Sequence, residues 1–353
     1  MIRQISDFTK IEDDWNRLYR EDLDTVFQSY AYNFTFWRTH PGLGQLALIV
    51  YYDGDNQPQA ILPTYIRGRQ LRFINDSGTD FCDIVYNREI HILDVVAEII
   101  EYLRSIRKIN CVILENLRSE SPLIPYVKIL SHKSLVYSHN DYSYLICEKG
   151  KSPFENGALS GERKKKIRKV LVNTASYPFK IYQSGKQDLF PEEELKILSR
   201  CMVKNGLRSS GRFSEVFWTF TREAFNQGIM EVAILYSEEN EPLSAGMVFV
   251  NTSVAVRWII LYSDGKYNLW NNIRYIDEKS KYSSFENNFG RGGYDYKIWN
   301  FKPIVRPLYK VLVPTGRGGL FVVWKDIITY YLKRTMHESA IYKFMLRIKT
   351  KMH

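Results

Sequence analysis

Three strand-forming runs in quick succession, Glu231–Tyr236, Ser244–Val250 and Val254–Tyr262, constrain this chain more than any other feature. They are rich in β-branched and aromatic residues, and Glu238-Glu239-Asn240-Glu241 separates the first two. Such runs pair as an antiparallel meander. The residues that follow predict a polar loop over Ser263–Asn272, a helical run to about Asn288, a glycine turn, and a short strand at Tyr294–Trp299. A meander that feeds a loop and then a helix suits a phosphate-bearing cofactor, because amides at a helix start bind anionic oxygens. The order of elements points to acyl transfer.

The rest of the chain has room for a second unit of this kind. At 353 residues it spans two domains of roughly 100–200 residues each. An apolar fraction of 45% with 14% aromatics supports large cores, and 25% charged residues is the globular norm. The net charge of +10 predicts either an anionic partner (nucleotide, CoA, nucleic acid or anionic membrane) or a solvated basic surface. No recognition-helix, zinc-finger or homeodomain pattern accompanies it, so DNA is not an expected partner. Cys82, Cys111, Cys147 and Cys201 form no CxxC pair and lie in or beside apolar runs, which predicts reduced thiols and a cytoplasmic protein. The six histidines form no ligand set; His132 and His139 fall in a loop-like region, and no metal is expected. The acidic start, MIRQISDFTKIEDDW, is not a signal peptide, and no run of about 18 apolar residues predicts a membrane span.

Helix and strand signals alternate up to about Val136. Ile11–Arg20 and Phe27–Arg38 read as helices; Leu46–Tyr52 and Gln59–Arg67 read as a hairpin around Asp53-Gly54-Asp55-Asn56. Gln70–Asn75 is a further strand, Asp76 to Asp83 an acidic loop, Ile92–Arg107 an amphipathic helix, and Cys111–Glu115 a buried strand. The second section repeats the plan with helices at Glu192–Asn205 and Phe213–Asn226, then hairpin, strand, helix and strand. No residue-level repeat accompanies this, so the duplication is architectural. Between the sections, Gly150, Pro153 and Gly157 precede a helix capped by Ser160, in which six of the eight residues from Glu162 to Lys169 are basic. That run is either a solvated helix face or a contact for phosphate. After Trp324 the tail carries seven Lys/Arg against two acids, with apolar Ile327, Ile328, Tyr331, Leu332, Ile341, Phe344, Met345 and Ile348. It docks on the body, pairs with a partner, or lies on an anionic membrane surface. The expected division is 1–147, a basic linker 148–172, 173–324 with the acyl-donor site, and a basic amphipathic helical tail 325–353.

Distributed motifs carry a family resemblance over roughly residues 10–315. They are Phe27-Gln28-Ser29 with Trp37; Leu62-Pro63-Thr64-Tyr65; Leu71-Arg72-Phe73-Ile74; Asp80-Phe81-Cys82-Asp83; the basic run to Lys169; Glu241-Pro242-Leu243-Ser244-Ala245-Gly246; and Tyr294-Asp295-Tyr296 near Phe301-Lys302. In this order the chain resembles the CelD-like branch of the GNAT acyltransferases, tied to cellulose and exopolysaccharide production, and the related Fem-type aminoacyltransferases. The resemblance implies an α/β (α+β) protein of tandem GNAT-like domains, each a mixed central sheet flanked by helices. It implies acetyl-CoA or another acyl-CoA as donor, and a sugar or cell-envelope polysaccharide precursor as acceptor of N- or O-acetylation. Fem kinship implies an aminoacyl-tRNA donor instead, and a non-catalytic scaffold subunit is a third reading. The chain departs from the family at Lys266-Tyr267-Asn268-Leu269-Trp270-Asn271-Asn272, where a Ser-Pro-Gly-like turn is usual, and it lacks the glycine-rich pyrophosphate signature.

Acyl transfer needs a groove for the donor, a hydrogen-bond donor for the developing oxyanion, and a base for the acceptor proton. The resemblance puts the donor site along Ser263, Gly265, Lys266, Asn268, Asn271 and Arg274, or else this is an ordinary strand-to-helix connection capped by Asp264 or Asn. Clustered carboxylates raise one another's pKa, which makes Asp83 a candidate base with Asp80 on the acceptor; turn capping is the alternative. Asp295, expected in a strand between tyrosines, is either a second base or the ion-pair partner of Lys302 or Arg306. Arg257 and Trp258 point to opposite faces of their strand, so one of them reaches the substrate groove. Tyr262 is the expected acid for the leaving group. Placement is cytoplasmic, with the tail allowing attachment to the inner membrane face.

Overall fold

The strand-rich runs pair as their composition requires, and the pairing joins both sections of the chain. The structure, a computed structural model, describes residues 1–76, 78–125, 134–155, 159–292 and 295–338. His132, Gly157, Tyr294 and the tail residues Ile341, Phe344, Met345 and Ile348 lie outside them.

In the first section, β1 (Ile2–Ile5), β3 (Leu48–Tyr52), β4 (Pro58–Leu62) and β7 (Val85–Tyr86) form a four-stranded sheet in the order β1-β3-β4-β7. The expected hairpin therefore changes sheets part-way. β2 (Gln45–Leu46) and β5 (Thr64–Arg67), its outer ends, join β6 (Gln70–Phe73) and β8 (Cys111–Arg118) in a second sheet. The switch falls at Pro63, which has no N–H to donate to a continuous ladder. Helices α1 (Glu12–Leu18), α2 (Tyr30–Thr39) and α3 (Ile92–Ser105) flank these strands. Ser29 caps α2 by accepting from the Tyr32 amide at 3.1 Å. α3 buries Val95, Val96, Ile99, Ile100 and Leu103, the face its periodicity predicts.

The second section contributes α4 (Gly161–Asn173), β10 (Phe179–Tyr182), α5 (Glu192–Lys204), α6 (Glu215–Asn226), β11 (Met230–Tyr236), β12 (Pro242–Val250), β13 (Val254–Tyr262), α7 (Gly265–Ser280), β14 (Phe285–Arg291), α8 (Asp295–Phe301), β15 (Ile304–Pro314) and α9 (Arg317–Glu338). Its meander is antiparallel throughout. Two strand–helix–strand crossovers, β6-α3-β8 and β13-α7-β14, make the two parallel pairs recorded among the described strands. They are the duplicated element of the architecture.

One long strand, β9 (Leu135–Cys147), binds the sections together. It pairs with β14 on one side and β15 on the other, and β15 runs on to β8. The result is an 11-stranded sheet in the order β10-β11-β12-β13-β14-β9-β15-β8-β6-β5-β2. His139, expected in a loop, lies in β9. The main core likewise spans both sections: Phe27 meets Phe249 with ring centroids 5.3 Å apart, and Phe36 meets Phe220 at 5.5 Å. Such edge-to-face rings contribute on the order of 1 kcal/mol each beyond their buried area. α9 packs Val322, Val323 and Ile327 on the sheet and leaves Phe321, Trp324, Ile328, Tyr331 and Leu332 exposed. No helix of the described residues is long and apolar enough to cross a membrane.

Candidate functional site

In the second crossover the paired strands diverge. β13 and β14 pair only over Val254–Val256 and Glu286–Asn288. Beyond that, β13 continues to Tyr262 along β12 while β14 continues to Arg291 along β9. The register of β13 on β12 shifts between Met247 and Val248, an irregularity that bends a strand locally. Phe289, Phe301 and Phe154 pack in the layer beside the opening, with Phe289 stacked on Phe301 at 4.8 Å. Of the strand expected at 294–299, the described residues from Asp295 form a helix, α8, and the expected helix end at 285–288 lies in a strand, β14.

Arg257 and Trp258 stand at the fork. Arg257 is buried on the α7 side, donating from Nη2 to Asn271 Oδ1 at 2.7 Å and lying 4.5 Å from the Tyr275 ring. Its Nε and Nη1 are buried with no hydrogen-bond partner among the described residues, and burial lowers its pKa to about 10. A buried arginine with unengaged donors is costly unless something completes it. Gly246 lies opposite: a Cβ there would sit 2.8 Å from Asn271 Oδ1 and 2.9 Å from Arg257 Nη2, so one of those side chains would have to shift. Glu231 lies deeper, accepting from Tyr275 Oη at 2.9 Å, Lys279 Nζ at 2.9 Å and Gln183 Nε2 at 2.5 Å. Trp258 faces the other side of the sheet, stacks on Phe217 at 5.7 Å, and donates to the Gly78 carbonyl of the acidic loop at 3.2 Å.

The acidic loop itself reaches across to β14. Asp80 accepts from the Arg291 amide at 2.9 Å and from Arg291 Nε at 3.3 Å. Burial raises its pKa, opposed by Arg291 and Lys297. Lys297 on α8 is also buried; Nζ donates to the Phe289 carbonyl at 2.7 Å, Arg291 at 3.1 Å and Gly292 at 3.2 Å. Burial lowers its pKa to about 8, opposed by Asp80. Gly290 has φ +72°, and a Cβ there would lie 3.1 Å from both Asp80 Oδ2 and the Arg257 carbonyl oxygen. The first section, the fork and α8 thus meet around one glycine. Lys297, Arg291, Gly290 and Glu231 were absent from the residues expected to carry chemistry; the glycine-rich Gly-Arg-Gly-Gly run was the local signal for Gly290 and Arg291.

Asp83 lies three residues further along the same loop. Its Oδ1 accepts from Ser121 Oγ and from the Ile84 amide, each at 2.8 Å. It is half-buried, and desolvation raises its pKa to about 7 against those two bonds. A carboxyl that titrates near neutrality is a functional-site signal.

The other expected residues are scattered. Asn271 is fully buried, holding Arg257 and donating to the Ala233 carbonyl at 2.9 Å, so it anchors α7 to the sheet. Arg274 donates to the Thr174 carbonyl and packs on Phe179. Asn268 accepts from Asn272 within α7. These three belong to helix packing, because the helix starts at Gly265 where a loop was expected. Asp295 is exposed in the first turn of α8, with no ion pair to Lys302 or Arg306 among the described residues. Lys302 is exposed, and Tyr262 half-buried at the strand end. Ser263 donates from Oγ to the Leu243 carbonyl at 3.2 Å. Lys266 is exposed, 4.9 Å from the Tyr267 ring.

These residues do not fit the phosphates of acyl-CoA at the start of α7. The Lys266 amide is already taken by Asp264 Oδ1 at 3.0 Å, so a carboxylate caps the helix start to which the resemblance assigns the phosphates. Among the described residues no group of three His, Cys, Asp or Glu could hold a metal ion.

The parallel strand–helix–strand crossover, present once in each section, gives a tandem GNAT-like fold. Known structures agree on it. The C-terminal domain of a putative lysylphosphatidylglycerol synthetase from Agrobacterium fabrum is 12% identical, with a TM-score of 0.58 over 91% of this chain and 97% of that one. L-PGS from Bacillus licheniformis is 15% identical, with a TM-score of 0.58 over 90% and 96%. FemX is 11% identical, with a TM-score of 0.53 over 88% and 96%. No protein-family model matches the chain, and no curated protein matches it in sequence.

Proposed function

We propose that this chain is an acyltransferase that moves an aminoacyl group from an activated ester, the 3′ end of a charged tRNA, to an amine or hydroxyl of a cell-envelope precursor. The observation that carries the choice of donor is Asp264 at the start of α7. The strands part as an acyl groove requires, but the helix that would hold a CoA pyrophosphate begins on a carboxylate. Similarity to FemX and to a lysylphosphatidylglycerol synthetase domain supports the same choice.

In this reading the acceptor nitrogen or oxygen attacks the ester carbonyl. A bond to the carbonyl carbon forms, the ester C–O bond breaks, and the acceptor proton passes through a base to the departing 3′-oxygen. In this reading Asp83, with a pKa of about 7, serves as the base, and Arg257, with two unengaged N–H donors, serves as the donor to the developing negative charge. Asp80, Arg291 and Lys297 hold the two sections in register around the groove.

The test is transfer of radiolabel from a pool of charged tRNAs into an envelope-precursor extract, run beside labelled acetyl-CoA. Label leaving tRNA in the wild type and not in Asp83→Asn is expected. Transfer from acetyl-CoA with none from tRNA would overturn the reading.

A further inference from the structure

The basic run of α4 has a destination. A cavity of about 210 Å³ lies between the first turns of α4, the Leu269–Ile273 face of α7, and the end of α8. Arg163 and Lys166 enter it from α4, and Trp299 and Asn300 from α8; Glu162 is its one acid. The Arg163 guanidinium lies over the Trp299 ring at 4.9 Å, and its Nη1 is buried with no hydrogen-bond partner among the described residues. Lys166 Nζ donates to Asn300 Oδ1 at 3.2 Å, which holds the ammonium at the cavity edge. Trp299 is 66% exposed, which leaves indole surface for a planar ligand. The cavity shares Ile167 and Ile273 with the apolar layer beside the β13–β14 fork.

Two cations, one with an unengaged donor, beside an exposed indole is the chemistry that takes a phosphate and stacks its base. We infer that this cavity anchors the terminal phosphoadenosine of the acyl donor, its phosphate on Arg163 and Lys166 and its base on Trp299. The inference rests on the donor reading above, and the tRNA 3′ end is the source to which it commits. It moves the phosphate-binding role from the start of α7, where Asp264 opposes it, to α4. A CoA nucleotide would present the same phosphoadenosine, so the experiment separates the two.

Binding of fluorescent tRNA to the full-length protein is followed by anisotropy across a salt series. Arg163→Gln/Lys166→Gln is expected to weaken binding roughly tenfold and flatten the log–log salt slope by about 0.7 for each phosphate no longer neutralised. Trp299→Ala is expected to weaken it about tenfold through the missing stacking partner. Lys165→Gln/Lys169→Gln removes the same charge from exposed positions of the same helix and is the control. It should change affinity less than about threefold. Equal weakening by the two double variants would show a diffuse basic face and overturn the site. Thermal melts identify any variant that fails to fold, in which case Arg163→Lys replaces it and the stacking arm decides. Unlabelled CoA is then titrated against bound tRNA. Displacement by micromolar CoA would overturn tRNA as the source while leaving the site. Absence of tRNA binding by the wild type would overturn the donor reading itself.

Discussion

Asp83→Asn separates a strained catalytic carboxylate from a turn cap. The carboxyl has an ordinary pKa of 3.8, and burial raises it to about 7, reinforced by Asp24 and Glu120. The Ser121 hydroxyl and the Ile84 amide, each 2.8 Å from Oδ1, hold the shift back. The folded state therefore keeps the proton more tightly than the unfolded chain. Stability from this group is complete below pH 3.8 and is lost as the pH rises to about 7. Each pH unit between those values corresponds to about 1.4 kcal/mol, a ceiling of about 4 kcal/mol. Solvent reaches the half-buried carboxylate and screens the cost, leaving about 1–2 kcal/mol. Asparagine keeps an acceptor at Oδ1 and cannot ionise. Urea unfolding at pH 4.5, 6 and 8 should show the variant gaining stability over wild type as pH rises, by about 1–2 kcal/mol at pH 8, at unchanged m-value. Aminoacyl transfer by the wild type should rise to a plateau above about pH 7, and the variant should be about 100-fold slower. A pH-independent stability difference, or a variant less stable at pH 8, would refute the reasoning and return Asp83 to turn capping.

The glycine at the meeting point can be compared with one in open space. Gly290→Ala combines left-handed strain with displacement of Asp80 and the Arg257 backbone, an expected destabilisation of about 2–3 kcal/mol. Gly42→Ala, at φ +84° with nothing within 4 Å, should cost only about 1 kcal/mol; equal urea midpoints would show that the close approach at Gly290 has no energetic consequence. Glu231→Ala strips the acceptor from Lys279, Tyr275 and Gln183 and should cost about 3–5 kcal/mol. Glu231→Gln retains an acceptor but removes the charge, and should unfold at a higher urea concentration than the alanine variant; equal midpoints would show that the retained acceptor contributes nothing. For the donor, isothermal titration of the wild type with acetyl-CoA should give no saturable heat at millimolar ligand, and a clean one-site isotherm would contradict the Asp264 argument.

The sequence by itself determined the elements whose local period is complete. The helices at 92–105, 192–204 and 215–226 and the meander over 230–262 follow from apolar spacing, which any packing partner satisfies in the same way. The duplicated plan was legible for the same reason, since it is an order of elements. Tertiary structure decided what local signals could not. Phe-Glu-Asn-Asn-Phe-Gly-Arg at 285–291 has no β-branched residue, yet it is a strand because β9 and β13 supply ladders on both sides. Asp-Tyr-Lys-Ile-Trp-Asn-Phe at 295–301 carries strand-like aromatics, yet it is a helix because Lys297 and Phe301, one turn apart, share a buried side. The candidate site divides along the same line. Asp83 and Arg257 could be named from residue type and position, but the unengaged donors of Arg257, the bond from Arg291 to Asp80 and the burial of Lys297 join residues far apart in the chain. Burial and electrostatics depend on those distances, and only the folded sheet sets them.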